Sequence, residues 1–146
     1  AGAKVALVMG HTRCGAVGAA VSLSGSATSI EEATGCQHLN AILQDIQAHF
    51  DPATLGNLRS LNDSDRQALV DGVALSNVKH IVADILVQSR TLAKLVEERQ
   101  IAIVGSMYDV TSGKIHFIKE SAVGLSEEEL DSVLSPSMNE RPSDNS

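Results

Sequence analysis

The chain has few aromatic residues, few basic residues and no long apolar run. Its 146 residues include no Trp, and its aromatic side chains are Phe50, Tyr108 and Phe117, too few for base-stacking platforms. Lys and Arg number 11 against 18 Asp and Glu, which gives a net charge of −7, the wrong sign for a protein that binds phosphate backbones. These shortages argue against a nucleic acid partner and predict an aliphatic core.

Signals for membrane insertion and secretion are also missing from the sequence. No apolar run approaches the roughly 20 residues of a membrane-spanning helix, and no charged-then-apolar segment leads the chain. Two cysteines, Cys14 and Cys36, are too few for a disulfide framework. We therefore expect a cytoplasmic protein whose cysteine chemistry is metal or thiolate chemistry.

What is present is an alternation of strand and helix patterns. Short β-branched or aliphatic runs predict strands at residues 4–9, 101–110 and 115–118, the first two buried on both faces. Helical spacing and end signals predict helices at residues 14–23, 38–49, from Asn62 or Asp63 to about 86, 91–99 and 126–134. The fold class is therefore α/β, with a mostly parallel sheet flanked by helices and an antiparallel hairpin near the C-terminus.

Several finer features follow from these patterns. Gly113 in the turn at 111–114 is able to take the positive φ that the hairpin needs. The apolar stripe of the long helix includes Leu69, Val73, Val78, Ile81, Ile85 and Leu86. Residues 1–134 form the domain, and residues 135–146 form a disordered tail because they carry too little apolar surface to pack. The chain starts without Met and enters a strand pattern by Lys4, so we expect the domain to be incomplete at its N-terminus.

The sharpest motif is GHTRCGAV at residues 10–17, where a strand pattern ends and a helix pattern begins. His11 and Cys14 lie three residues apart, zinc accepts both donor types, and a cysteine at a helix N-terminus is biased toward the thiolate. The simpler interpretation is a strand-to-helix loop with a packed cysteine and a surface histidine. A second alternative is a closed structural zinc site formed by His11, Cys14, Cys36 and His38.

The whole octapeptide closely resembles the second zinc-ligand segment of the β-class carbonic anhydrases, G-H-[ST]-x-C-G-A. IAIVGSMYDVTSGKIHFI at residues 101–118 is similar to that family's late strand, with its G-x-x-Y-D sequence and T-G hairpin, and Asn77-Val78 is similar to its late helix. The resemblance covers residues 3 to about 119. GCQHL at residues 35–39 resembles members fused to SulP-type anion transporters.

The resemblance implies that His11 and Cys14 are two of three protein ligands of a catalytic Zn²⁺, with Gly15 beside the substrate. It implies reversible hydration of CO2 to bicarbonate, with CS2 or COS as substrates of related folds, and a homodimer or higher homo-oligomer. The family's first Cys ligand lies in a C-x-D-x-R motif whose Asp and Arg form a dyad beside the metal. This sequence has no such motif, so we expect the chain alone to be weak or inactive.

A non-catalytic carbonic-anhydrase-like regulatory module, possibly attached to an anion transporter, remains the alternative function. The other histidines, His49, His80 and His116, are expected to have structural or solvent-facing positions. Asp109, at a strand end, is expected to serve the turn, and no role is assigned to Thr12 or Arg13.

Overall fold

The computed structural model describes residues 2–23, 31–32, 35, 39–48 and 61–134. Its elements, in chain order, are β1 (Val5–His11), α1 (Gly15–Leu23), α2 (Leu39–Ala48), α3 (Asp63–Gln88), α4 (Arg90–Glu97), β2 (Ala102–Tyr108), β3 (Ile115–Val123) and α5 (Glu127–Leu134). The α/β class is confirmed, and each of the eight elements has the predicted type. The predicted tail lies outside the described residues. Within the described ranges, none of the helices combines the length and apolarity needed to span a bilayer.

The described strands form one mixed sheet in the order β1-β2-β3. β1 and β2 are parallel and in register from Val5 opposite Ala102 to His11 opposite Tyr108. β2 and β3 are antiparallel and are joined by a turn in which Gly113 has φ +71°, as predicted. The turn after β1 therefore lies beside the end of β2 and the start of the hairpin.

The β2–β3 ladder is interrupted by a bulge, and a serine takes over its hydrogen bonding. The register shifts between Ile103, which faces Val123, and Gly105, which faces Ile118. Inside the bulge, Ser121 Oγ accepts the Gly105 N–H at 3.1 Å and donates to the Ile118 carbonyl at 2.8 Å. One side chain thus forms hydrogen bonds with two backbone groups where the ladder is interrupted.

Helix α3 packs closely against one face of the sheet, since glycines on β1 and β2 leave room for it. A Cβ placed on Gly10 would lie 2.7 Å from Val78 Cγ2, and one on Gly105 would lie 3.0 Å from Val78 Cγ1. The core continues from this contact to α1 and α2. Its buried members are Val17, Ala20, Val21, Leu43, Ile46, Val70, Ala74, Val78, Met107 and Ile118.

The prediction for the stripe of α3 is confirmed in part: Val78 is buried, and Leu69 and Val73 are partly buried and pack against the core. Of the six predicted residues only Val78 is buried, and the buried set is Val70, Ala74, Val78 and Val82. These residues are spaced by four, so they form one narrow line along the helix. The close approach to the glycine-bearing strands selects small side chains on that line, and the larger residues at its sides are half-buried. The N-cap was predicted correctly: Asn62 Oδ1 accepts the Asp65 N–H at 2.9 Å.

The prediction that β1 is buried on both faces was wrong. Val5, Leu7 and Met9 are 55%, 44% and 45% exposed, whereas six of the seven residues of β2 are buried. β2 lies between two strands, but among the described residues β1 pairs with β2 alone. Val8 lies on the other face of β1 and packs against the core. The apolar run at residues 4–9 therefore predicted a strand correctly, but it did not predict how far that strand is buried.

Helix α5 begins with a reciprocal cap formed by Ser126 and Glu129. The Glu129 N–H donates to Ser126 Oγ at 3.3 Å, and the Ser126 N–H donates to Glu129 Oε2 at 2.7 Å. The hydrogen bond from the Ser126 backbone lowers the pKa of Glu129 below its ordinary value. Glu129 also forms an ion pair with Arg99 at 2.5 Å, so the same carboxylate connects α5 to the segment before β2.

Candidate metal centre

The His11–Cys14 turn connects the carboxyl end of β1 to the start of α1. The Thr12 N–H donates to the Tyr108 carbonyl at 2.9 Å, so the chain stays paired to β2 one residue beyond the strand. Arg13 then adopts a left-handed conformation with φ +56°. The Cys14 carbonyl accepts the Gly18 N–H at 2.9 Å, which is the first hydrogen bond of α1. The strand end positions His11 and the helix start positions Cys14.

The ring of His11 is oriented by the backbone next to it. His11 Nδ1 lies 3.0 Å from the Thr12 carbonyl oxygen. A carbonyl oxygen only accepts, so Nδ1 is the protonated nitrogen and the neutral ring keeps its lone pair on Nε2. Metal-binding histidines commonly use this arrangement, with one nitrogen donating to a carbonyl and the other facing the metal. His11 is exposed and Cys14 is half-buried, so both donors are accessible.

A carboxylate of α3 contacts the turn at its middle. Asp71 Oδ1 accepts the Arg13 backbone N–H at 2.7 Å. The same oxygen accepts from Gln67 Nε2, one turn earlier on α3, at 2.9 Å. Residues 67 and 71 border the buried line of α3, so the acceptor is carried by a helix packed into the core.

A second carboxylate connects the turn to the β2–β3 hairpin. Thr12 Oγ1 accepts the Val110 N–H at 3.1 Å and makes a longer contact of 3.5 Å with Asp109 Oδ1. Asp109 also accepts from Ser112 Oγ at 2.7 Å and from the Thr111 N–H at 2.8 Å. The hydrogen bond from Ser112, followed by that from the Thr111 backbone, lowers the pKa of Asp109. Asp109 thus stabilises the hairpin turn, as expected, and also faces Thr12.

Clefts formed by the described residues border the turn. One of about 370 Å³ is lined by Arg13, Cys14 and Gly15 together with Asp63, Arg66, Gln67 and Val70 of α3. Among the described residues, a Cβ on Gly15 would meet no atom within 4 Å, so the space beside this residue is open. Another cleft, of about 470 Å³, lies between α3 and the hairpin and includes Thr12 and Asp71 but neither donor.

The donor chemistry fits zinc, but the described residues supply a partial ligand set. His11 offers an imidazole nitrogen and Cys14 a sulfur, both ordinary zinc ligands. Within residues 2–23, 31–32, 35, 39–48 and 61–134, no group of three or more His, Cys, Asp or Glu side chains is placed to hold a metal ion. Cys36 and His38 lie outside the described residues, so the four-ligand alternative stays untested.

The remaining histidines have the positions expected of them where they are described. His80 on α3 and His116 on β3 are exposed, and His49 lies outside the described residues. The contacts made by Asp71 and Asp109 were not predicted, because their hydrogen bonds reach the turn from 58 and 97 residues away in the sequence. Nothing in the motif itself points to either partner. The positive φ of Arg13 could not be predicted either, because arginine is not a residue type that favours the left-handed region.

Comparison with known proteins agrees with the motif. The family model described as carbonic anhydrase matches residues 1–115. The fold is similar to that of the β-carbonic anhydrase CafA of the fungal pathogen Aspergillus fumigatus, with a TM-score of 0.60 and 25% identity over 89% of this chain and 53% of that one. No curated protein sequence matches the chain.

A second similar structure belongs to a pair of tetrameric β-carbonic anhydrases from the filamentous ascomycete Sordaria macrospora. It has a TM-score of 0.60 and 21% identity, and the match covers 79% of this chain and 52% of that one. The chain therefore spans about half the length of the solved structures that it resembles.

Proposed function

The chain belongs to the β-carbonic anhydrase family, and we propose that the protein catalyses zinc-dependent reversible hydration of CO2 to bicarbonate. The observation that carries the proposal is the turn after β1, where His11 keeps a lone pair on Nε2 and Cys14 starts α1. A family resemblance alone would leave the chemistry of these positions open. Here the two donors are accessible, and the Thr12 carbonyl lies at hydrogen-bond distance from His11 Nδ1, which favours a neutral ring with its lone pair on Nε2.

The proposed roles of the residues follow from this geometry. His11 Nε2 and Cys14 Sγ would hold the ion, and the Thr12 carbonyl would keep the imidazole in the correct orientation. Gly15 would leave space for the oxygens of CO2 or bicarbonate, with its N–H in the first turn of a helix, where backbone donors lack intrahelical partners. When bound, zinc would supply the Lewis acidity that makes a hydroxide nucleophile available near neutral pH.

Zinc binding by single variants tests the ligand assignment. We expect His11→Ala and Cys14→Ala to weaken Zn²⁺ binding by about tenfold or more, since each removes one direct ligand. The matched controls are His116→Ala, which removes an exposed histidine of β3, and Cys36→Ala. Both should bind Zn²⁺ as the unaltered chain does. Loss of binding in Cys36→Ala would instead support the closed site of His11, Cys14, Cys36 and His38.

The two-donor set also limits the activity expected of this chain by itself. Catalytic zinc sites use three protein ligands and an open position, and the described residues offer two. We propose that the chain expressed alone binds zinc weakly and hydrates CO2 slowly. Stopped-flow measurement of CO2 hydration at rates typical of an efficient enzyme would refute this.

The partial ligand set favours one alternative, a non-catalytic carbonic-anhydrase-like module with a regulatory or docking role. The two functions differ in the sequence upstream of Ala1. A C-x-D-x-R segment encoded there would supply the third ligand and the acid-base dyad and would support the enzyme. A gene without that segment would support the module.

Oligomeric state and location are also proposals. We propose a homo-oligomer, because the similar Sordaria macrospora enzymes are described as tetrameric. A cytoplasmic location is proposed from the low cysteine count of two, which is typical of a reducing compartment.

A further inference from the structure

The backbone of Arg13 has a conformation that its side chain disfavours. Its φ of +56° lies in the left-handed region, where the Cβ of an L-residue crowds the following carbonyl oxygen. Glycine is the usual residue in such a position. The conformation at Arg13 sets where the next residue, Cys14, lies relative to His11.

Asp71 supplies the interaction that favours this conformation. Its carboxylate accepts the Arg13 N–H at 2.7 Å, within the range of charge-assisted hydrogen bonds. Gln67 donates to the same oxygen, so the acceptor is held in place on α3. The helix is fixed in turn by Val70 and Ala74, which are buried in the core on either side of Asp71 in the sequence. A rigid acceptor therefore meets the strained residue of the turn.

We propose that Asp71 is a positioning residue for the metal centre: its carboxylate holds Arg13 in the left-handed conformation and so places Cys14 Sγ toward the same point as His11 Nε2. The inference rests on the proposed function, because its consequence is zinc affinity. Asp71 touches neither the metal nor the substrate in this scheme. Its effect passes through the backbone of Arg13.

The first test is the affinity for Zn²⁺, measured by competition with a chromophoric chelator. Asp71→Ala should bind Zn²⁺ about tenfold more weakly, which is about 1.4 kcal/mol, while circular dichroism shows an intact fold. The matched control is Asp84→Ala, which removes a half-buried carboxylate from the same helix. Asp84→Ala should bind Zn²⁺ as the unaltered chain does. Equal affinity of Asp71→Ala and Asp84→Ala would overturn the inference.

A second substitution separates positioning from a general structural role. Arg13→Gly permits the positive φ without help, since glycine adopts it about as readily as a negative φ. In the Arg13→Gly background, Asp71→Ala should therefore cost less than about threefold in Zn²⁺ affinity. A carboxylate that only stabilised α3 would cost the same in both backgrounds, and that result would overturn the inference. If Asp71→Ala does not fold, Asp71→Asn replaces it, with an expected loss of about threefold that Arg13→Gly again removes.

A measurement on the metal-free chain keeps this inference distinct from the proposed function. If the unaltered chain does not bind Zn²⁺ through Cys14, the proposed function fails. The role of Asp71 is then decided by the hydrogen exchange of the Arg13 amide, read by NMR. Faster exchange in Asp71→Ala than in Asp84→Ala would support the hold on the turn. Equal exchange rates would overturn it.

Discussion

Replacing Ser121 by Ala should destabilise the protein far more than the loss of one hydroxyl suggests. The Ser121 Oγ accepts from the Gly105 N–H and donates to the Ile118 carbonyl inside the bulge. Gly105 and Ile118 are both buried, and Gly105 lies where the register of the two strands shifts. Each buried backbone group left unpaired costs about 1–3 kcal/mol. The two together give an expected loss of about 2–6 kcal/mol in the free energy of unfolding, a large part of the roughly 5–15 kcal/mol typical of a domain.

The control is the neighbouring Ser106, whose side chain is fully buried. Its Oγ has no hydrogen-bond partner among the described residues, so Ser106→Ala leaves nothing newly unpaired. We expect this variant to be unchanged or up to about 1 kcal/mol more stable. Urea denaturation followed by circular dichroism measures both variants. If Ser106→Ala proves as destabilising as Ser121→Ala, the argument from hydrogen bonding in the bulge is wrong.

Two further predictions concern the approach of α3 to the sheet and the cap of α5. Gly10→Ala should lower the free energy of unfolding by about 1–3 kcal/mol through overpacking, because its Cβ would lie 2.7 Å from Val78 Cγ2. Gly72→Ala, whose Cβ meets no described atom within 4 Å, should instead stabilise α3 by about 0.5–1 kcal/mol. Equal effects of the two substitutions in urea denaturation would contradict this. The hydrogen bond from the Ser126 N–H lowers the folded-state pKa of Glu129, so the stabilisation by the Glu129 carboxylate is present above the unfolded-state pKa and is lost as pH falls through the lower folded-state pKa. Glu129→Gln should therefore reduce the loss of stability between about pH 6 and pH 3. An unchanged acid sensitivity of this variant would contradict the role of the cap.

Features that depend on neighbours in the sequence were predictable. Asn62 caps α3 because its side chain reaches an N–H three residues ahead, and Ser126 with Glu129 forms a capping box over the same distance. Gly113 was recognisable as the residue of the turn able to take positive φ. The candidate donors His11 and Cys14 were found because three residues and one tight turn separate them.

Features that depend on distant residues were not predictable from one sequence. The burial of β1 was predicted wrongly because a run such as KVALVM does not reveal how many strands will pair with it. The stripe of α3 was assigned from apolar residues at helical spacing, which does not reveal that the contact with Gly10 and Gly105 selects Ala74 and Val78. The hydrogen bond from the Arg13 N–H to Asp71 could be predicted only with knowledge of the angle at which α3 packs against β1. Periodicity within one helix does not contain that angle.

The span of chain enclosed by the parallel β1–β2 pair has a consequence for the order of events during folding. Thr12 and Arg13 are held by residues 97 and 58 positions away, and closing loops of that length costs entropy that local structure cannot offset early. The turn is therefore completed only after α3 and β2 have reached β1. A zinc finger folds around its ion, whereas the proposed zinc site of this chain would bind its ion only after the surrounding helices and strands have packed. Newly made chains would then pass through a folded, metal-free stage in which Cys14 is still open to oxidation.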